Sequence, residues 1–321
     1  QFVFEVMEEV VNRFDVDGIE MDFMRHFPHF KSNTQGKDCS QQERDMMTGF
    51  AKRVREMTEK VGLKRGRPIL VAVRLPASIG LCEARGFEVE KWLTQDLVDI
   101  LVPGEWELEP WDGWVALGHK YDVPVYCCLS WSASRKRRCP PDMEEGRVLR
   151  SYRSRALKVW RSGADGVYTF NVFDLDSARS LWREIGDPEI LAGLDKDYFP
   201  SGREKAIRRK GLRRFEKIAT TLPFGPVTIE QQKPYAFTML IAEDASGRDV
   251  TLSLNIEAGP VAAAAVTVNG HALSNGSVQK DWISYPVTAE WIREGDNAIQ
   301  VANSDPAGKA IVLKEVHVRI K

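Results

Sequence analysis

Val16-Asp17-Gly18-Ile19-Glu20-Met21-Asp22-Phe23-Met24-Arg25-His26 reads as a short buried strand that ends in two carboxylates and two basic groups. Asp17-Gly18 forms its entry. Glu20 and Asp22 are two residues apart, so in a strand both side chains point to one side. Carboxylates are costly inside apolar packing unless they are paired or put to use. Charged groups at the carboxyl end of a barrel strand are the usual seat of chemistry.

The pattern around this stretch repeats. Phe2, Val6, Val10 and Phe14 recur at spacing four and predict a helix over residues 1–13. Ser40 precedes Glu43 by three, a capping-box signature. Behind it, Met47, Phe50, Val54, Met57 and Val61 form one helical stripe. Apolar strands are expected at residues 69–73, 98–102, 123–129 and 165–170. The intervening segments read as helices, apart from a long loop over residues 24–39 and a loop holding Arg135-Lys136-Arg137-Arg138. Continuously apolar strands separated by amphipathic helices indicate a parallel sheet covered by helices. No glycine-rich phosphate loop follows any strand, which disfavours a nucleotide-binding sheet. Polar residues at the strand ends favour the barrel form. The expected fold is therefore α/β, a (β/α)8 TIM-barrel-like domain lacking its first three units, over residues 1–200.

Beyond a basic linker over residues 201–222, the helical stripes vanish. Val227-Thr228-Ile229, Tyr235 to Met239, Thr251 to Leu254, Ala265 to Val268, Ala298 to Val301 and Val312 to Ile320 read as short alternating strands. Asn269-Gly270 and Asp296-Asn297 read as turns. Residues 223–321 are thus expected to form a small all-β sandwich or jelly roll.

Composition narrows the function. The chain has 321 residues, 43% hydrophobic and 28% charged, with formal net charge −1. A nearly neutral chain gives no support for nucleic-acid binding. No run approaches the roughly 18 apolar residues of a membrane span. Five sparse cysteines (Cys39, Cys82, Cys127, Cys128 and Cys139) do not make a disulfide scaffold. No two of Cys39, Cys139, His26 and His29 have a zinc-site spacing, so no metal is expected. No motif calls for a cofactor. The chain starts at Gln1, so the lack of a leader says nothing of the compartment.

Asp15-Val16-Asp17-Gly18-Ile19-Glu20-Met21-Asp22-Phe23 resembles the fourth-strand segment of family 10-like glycosyl hydrolases. These are bacterial TIM-barrel proteins with a motif like YDVDGIHFDDY. Gly163-Ala164-Asp165-Gly166-Val167-Tyr168 looks like the last strand of the same barrels. The resemblance covers residues 1–193, and the tail looks like the β-sandwich often appended to them. It implies that the later strands are the fifth to eighth and that three N-terminal units are absent. It also implies a glycosidase acting on a carbohydrate, with a bacterial secreted or periplasmic setting favoured. Where the family shows paired aspartates, this chain has Asp22 followed by Phe23-Met24-Arg25, a departure that leaves the substrate class open.

Glycoside hydrolysis needs two carboxyl groups facing each other across the scissile bond. Asp22, at the mouth of its strand, suits a nucleophile or charge stabiliser. Several retaining α-glycosidase families place the nucleophile on the fourth strand and the acid on the sixth. By that similarity Glu105 is the partner of Asp22. Its neighbour Trp106 is apolar, and apolar surroundings raise a carboxyl pKa as a general acid requires. Glu20, Glu107 and Asp174 are supporting candidates. Two pairings of Arg74 stay open: with Glu20 across the barrel, or with Asp22, which could also pair with Arg25, as a plain salt bridge in a non-catalytic barrel. Arg25, His26 and Arg74 are candidates to hold hydroxyls or an anionic substituent. Trp106 and Trp131 could stack on sugar rings, and Asn171 could bond a hydroxyl. The Arg135–Arg138 run could draw an anionic polysaccharide or simply be a solvated loop. Two other readings stay open: a carbohydrate-binding barrel without turnover, and a structural module of a larger surface protein.

Overall fold

The computed structural model describes residues 1–24, 29–76, 78–104, 111–173, 175–200 and 226–321. The expected linker over residues 201–222 lies outside them. The chain is a mixed α/β structure with several sheets. Its first half runs α1 (Phe2–Arg13), β1 (Gly18–Asp22), α2 (Lys31–Thr34), α3 (Gln41–Arg65) and β2 (Leu70–Leu75). There follow α4 (Ile79–Ala84), α5 (Val89–Leu93), β3 (Ile100–Pro103), α6 (Trp111–His119) and β4 (Tyr126–Ser130). Then come α7 (Trp131–Lys136), α8 (Arg147–Arg161), β5 (Gly166–Phe170), α9 (Leu175–Ile185) and α10 (Pro188–Ala192). α3 carries the expected capping box: the Ser40 side chain accepts from the Glu43 N–H, and the Glu43 side chain accepts from the Ser40 N–H. Gly66, at φ 72°, ends that helix in the left-handed conformation glycine adopts freely. Two short helices, α2 and α7, stand where loops were expected.

β1, β2 and β3 pair in parallel, with Asp22 beside Arg74 and Arg74 beside Val102. β4 and β5 form a second parallel pair. A parallel bridge between Leu101 and Val125 joins the two sets. Spatial order therefore follows chain order through all five strands. In a flat sheet, four ladder spacings would put β5 about 19 Å from β1. Yet the Tyr168 hydroxyl of β5 lies 3.2 Å from Glu20 Oε1 of β1. The guanidinium of Arg74 on β2 lies 3.8 Å from the centroid of the Phe170 ring on β5. Only a strongly curled sheet brings these side chains together. The strands thus make an arc, with Glu20, Asp22, Arg74, Tyr168 and Phe170 on its concave side. Gly104, just past β3, permits a close approach: a Cβ there would fall 2.4 Å from the Cβ of Cys128.

The convex side carries the helices. Val71 and Val73 of β2 and Val54 and Val61 of α3 are buried there with Trp92 and Trp114. β1 and β5 are the two edges of the described arc; beside β1, α1 leaves Phe2, Val3 and Val6 exposed, and Phe14 just past it is exposed too.

The second half is antiparallel. It begins with β6 (Lys196–Tyr198), β7 (Val227–Ile229), β8 (Tyr235–Ile241), β9 (Val250–Ala258) and β10 (Ala264–Val268). It continues through β11 (His271–Ala272), β12 (Ser277–Gln279), β13 (Trp282–Val287), β14 (Gly295–Asn303) and β15 (Ile311–Ile320). One sheet has the order β11-β10-β14-β8; the other is β12-β13-β9-β15-β6, with β7 also on β15. Tyr285 joins them, its hydroxyl donating to the Ala264 carbonyl at 2.5 Å. Asn269 and Gly270, both at positive φ, make the expected hairpin turn between β10 and β11. The turn expected at Asp296-Asn297 is instead part of β14. Buried Asn297 donates its amide to the carbonyls of Arg293 and Gly295 and accepts from the Arg293 N–H. Those bonds satisfy it inside a strand. β13 holds Pro286, which the ladder tolerates because β12 pairs only with residues 282–284.

β6 is where the two halves meet. It follows α10 directly, yet it pairs with β15 of the antiparallel sheet. The sheet's first strand therefore lies within the segment, residues 1–200, assigned to the barrel on sequence grounds. Asp197 on β6 is fully buried between Arg150 of α8, at 2.9 Å, and His317 of β15, at 3.1 Å. Lys196 and Tyr198, on the other side of β6, both bond Glu243 at 2.8 Å. A buried charge stripped of its partner is strongly destabilising. Arg150→Ala should therefore lower the free energy of unfolding by about 3–5 kcal/mol in urea denaturation. Asp197→Asn in that background should restore part of the loss; strict additivity of the two changes would contradict the pairing.

Candidate active site at the strand ends

The concave side of the arc holds two tiers of side chains. Two residues along a strand rise about 6.6 Å. Asp22, Arg74 and Phe170 form the upper tier, at the carboxyl ends of β1, β2 and β5. Glu20, Cys128 and Tyr168 lie one pleat deeper.

Asp22 is fixed through both oxygens. Oδ1 accepts the Met24 N–H at 2.8 Å, closing a turn just past the strand. Oδ2 accepts from Arg74 Nη1 at 2.9 Å. The two residues are unequally exposed: the Asp22 side chain is 36% exposed and that of Arg74 is 0% exposed. The guanidinium lies over Phe170 and within 5.7 Å of the Tyr168 ring centroid. Arg74 therefore lies beneath Asp22, neutralised by it, while Asp22 faces outward. Of the two expected partners of Arg74, Asp22 and not Glu20 takes it, because register sets Asp22 directly beside Arg74.

Glu20 instead accepts from the Tyr168 hydroxyl. Burial raises the Glu20 carboxyl above its ordinary range; Tyr168 opposes that rise, Asp22 adds to it and Arg74 opposes it. Burial, with the Glu20 charge next in importance, pushes the Tyr168 phenol up to about 12. Burial also raises the Cys128 thiol, against the pull of Arg74. Cys128 is packed as a small apolar group and is not a reactive thiolate.

The remaining candidates separate. Trp131 opens α7, and its half-buried ring lies 5.6 Å from Tyr152 against the core. Asn171 follows β5 directly, at φ 57° and half-buried at the rim. Within the basic run, Arg137 is tied to Glu315 of β15 at 3.5 Å and to the Phe199 ring. Arg25, His26, Glu105, Trp106, Glu107 and Asp174 lie outside the described residues. Among the described residues, no group of three or more His, Cys, Asp or Glu side chains could hold a metal ion. No helix among them is long and apolar enough to cross a membrane.

Asp22 also borders an apolar depression of about 500 Å³, lined by Met21, Phe23, His29, Phe30 and Met47. Met21 and Phe23 alternate with Glu20 and Asp22, so this depression opens on the opposite face of the strand. His29 is half-buried there, edge-on to Phe23 and Phe87, and burial lowers its pKa. The sequence reading missed Tyr168 and Phe170. Their spacing of two matches that of Glu20 and Asp22, and this was the available signal.

No protein-family model and no curated protein matches the chain. Among solved structures, a cell-surface chitinase from Paenibacillus sp. FPU-7 gives a TM-score of 0.37 at 12% identity, over 97% of this chain and 40% of that one. A chitinase from Bacillus thuringiensis gives 0.37 at 10% identity, over 96% and 76%. A β-porphyranase of glycoside hydrolase family 86 from Bacteroides plebeius gives 0.26 at 19% identity, over 40% and 20%. The chain spans 20% of that porphyranase and 43% of a family 18 N-acetylglucosaminidase from Paenibacillus barengoltzii. These are carbohydrate-active enzymes by name.

The Glu20 environment has a consequence for stability. A carboxyl raised above 4.5 keeps its proton in the folded state at pH values where the unfolded chain has released it. Stability therefore falls as pH rises from that value through the folded one. Glu20→Gln, which cannot ionise, escapes this loss. Its melting temperature should gain on the wild type between pH 4 and pH 7; a constant difference over that range would contradict the burial of Glu20.

Proposed function

We propose that the chain belongs to a glycoside hydrolase that cleaves a poly- or oligosaccharide by paired-carboxylate chemistry. Asp22 serves as nucleophile or charge stabiliser and Glu105 as general acid. One observation carries the reading: the Asp22 carboxylate is oriented from beneath by a buried guanidinium and a backbone N–H, yet stays open to solvent. A group so held can face a developing positive charge without reorganising. Glu20 supports it from below, and Glu107 and Asp174 are the alternative partners. Arg25, His26, Trp106, Trp131 and Asn171 are proposed to surround the sugar, Arg74 to act through Asp22.

In this reading the arc is the last five units of a (β/α)8 barrel, and residues 223–321 form a β-sandwich. The curl of the sheet supports the first part. The open β1 edge and the exposed Phe2, Val3, Val6 and Phe14 support further units beside it.

A carbohydrate-binding barrel without turnover is the second reading. It is favoured by one fact: both oxygens of Asp22 already have partners. Asp22→Asn and Glu105→Gln, assayed on a panel of neutral and anionic polysaccharides, decide between them. A hydrolase should lose about 10²-fold or more in kcat with either change. Full activity in both variants would reject the pairing. Glycan binding by a wild type that turns nothing over would establish the second reading.

A further inference from the structure

We infer that Tyr168 is a positioning residue of this site, holding Glu20 as a proton-exchanging group beneath Asp22. The inference rests on the proposal that the strand-end carboxyls do chemistry. Tyr168 is on β5 and Glu20 on β1, 148 residues apart and at opposite ends of the described arc, yet their oxygens lie 3.2 Å apart. Arg74, a cation that acts on Glu20, is bonded to Asp22. Among the described residues, the phenol is thus the side-chain hydrogen-bond donor to Glu20.

Among the described residues, the groups facing Glu20 are Asp22 on its own strand, Arg74 on β2, Cys128 on β4 and Tyr168 on β5. Asp22 and burial favour the protonated form, while Tyr168 and Arg74 favour the ionised one. A donated hydrogen bond stabilises a carboxylate more than a carboxylic acid. Tyr168 is therefore the counterweight that keeps a half-buried carboxyl able to release its proton. The two acids on one strand face are in this way given separate tasks: Asp22 is held by a cation, and Glu20 by a neutral donor whose own proton leaves only at high pH.

Tyr168→Phe removes the donor and keeps the ring beside Arg74. With ¹³C-carboxyl-labelled glutamate, the Glu20 resonance, assigned by its loss in Glu20→Gln, should titrate about one pH unit higher in Tyr168→Phe than in the wild type. An unchanged midpoint would overturn the inference, since a purely structural tie between β1 and β5 would leave it in place. Should Tyr168→Phe fail to fold, the reciprocal measurement decides. In Glu20→Gln, Tyr168 should ionise at lower pH than in the wild type, read from the phenolate absorbance, because the neighbouring charge that raises the phenol is gone. No change there also overturns the inference. Neither titration needs a substrate. A shifted Glu20 midpoint in a chain inactive on every saccharide would uphold the coupling and remove only the hydrolase reading.

Discussion

A guanidinium without solvent sits at the centre of this structure. Arg74 is fully buried on the concave side of the arc, and its charge must be met within the fold. Asp22 meets it from the neighbouring strand and Phe170 covers it from the far end of the arc. The first contact orients a carboxylate at the strand mouth. The second requires that the sheet curl. One buried cation therefore links the shape of the sheet to the geometry of its candidate site, and the Tyr168–Glu20 bond repeats that link one pleat below.

The same reliance on buried charge recurs on α8. Arg147 donates to the Ser134 carbonyl and Arg155 to the Ser130 carbonyl, fixing the segment that leaves β4. Arg150 reaches the other way, to Asp197 on β6. The helix thus holds the rim of the arc with one set of side chains and the antiparallel sheet with another. Arg137 adds a bond from that rim to Glu315. The second half of the chain is in this way attached to the face that carries the candidate site, through groups whose separation would leave charges buried and unpaired.

Much of the fold was legible because apolar burial leaves a periodic trace. Val71 and Val73, or Cys127 and Cys128, announce their strands because both faces of those strands are covered. The capping box at Ser40 was legible because its groups are three residues apart. β13 was missed because Pro286 reads as a break unless one knows that its neighbour on that side has ended. Asn297 was misread as a turn residue because its amide is satisfied by tertiary contacts that propensity cannot see. The Arg135–Arg138 run looked solvated, yet Arg137 has a partner 178 residues away at Glu315.

For the site, the sequence by itself determined that Glu20 and Asp22 share one face of a strand and that Asp22 is nearer its mouth. Strand periodicity is local, so nothing else was needed. It could not say which carboxyl takes the arginine. Only strand register, which sets Asp22 and not Glu20 beside Arg74, decides that. Nor could it name Tyr168, since the contact exists only once the sheet has curled through five strands and brought β5 onto β1. Chain-local patterns fix what each strand presents, while the curvature of the whole sheet fixes what those groups meet.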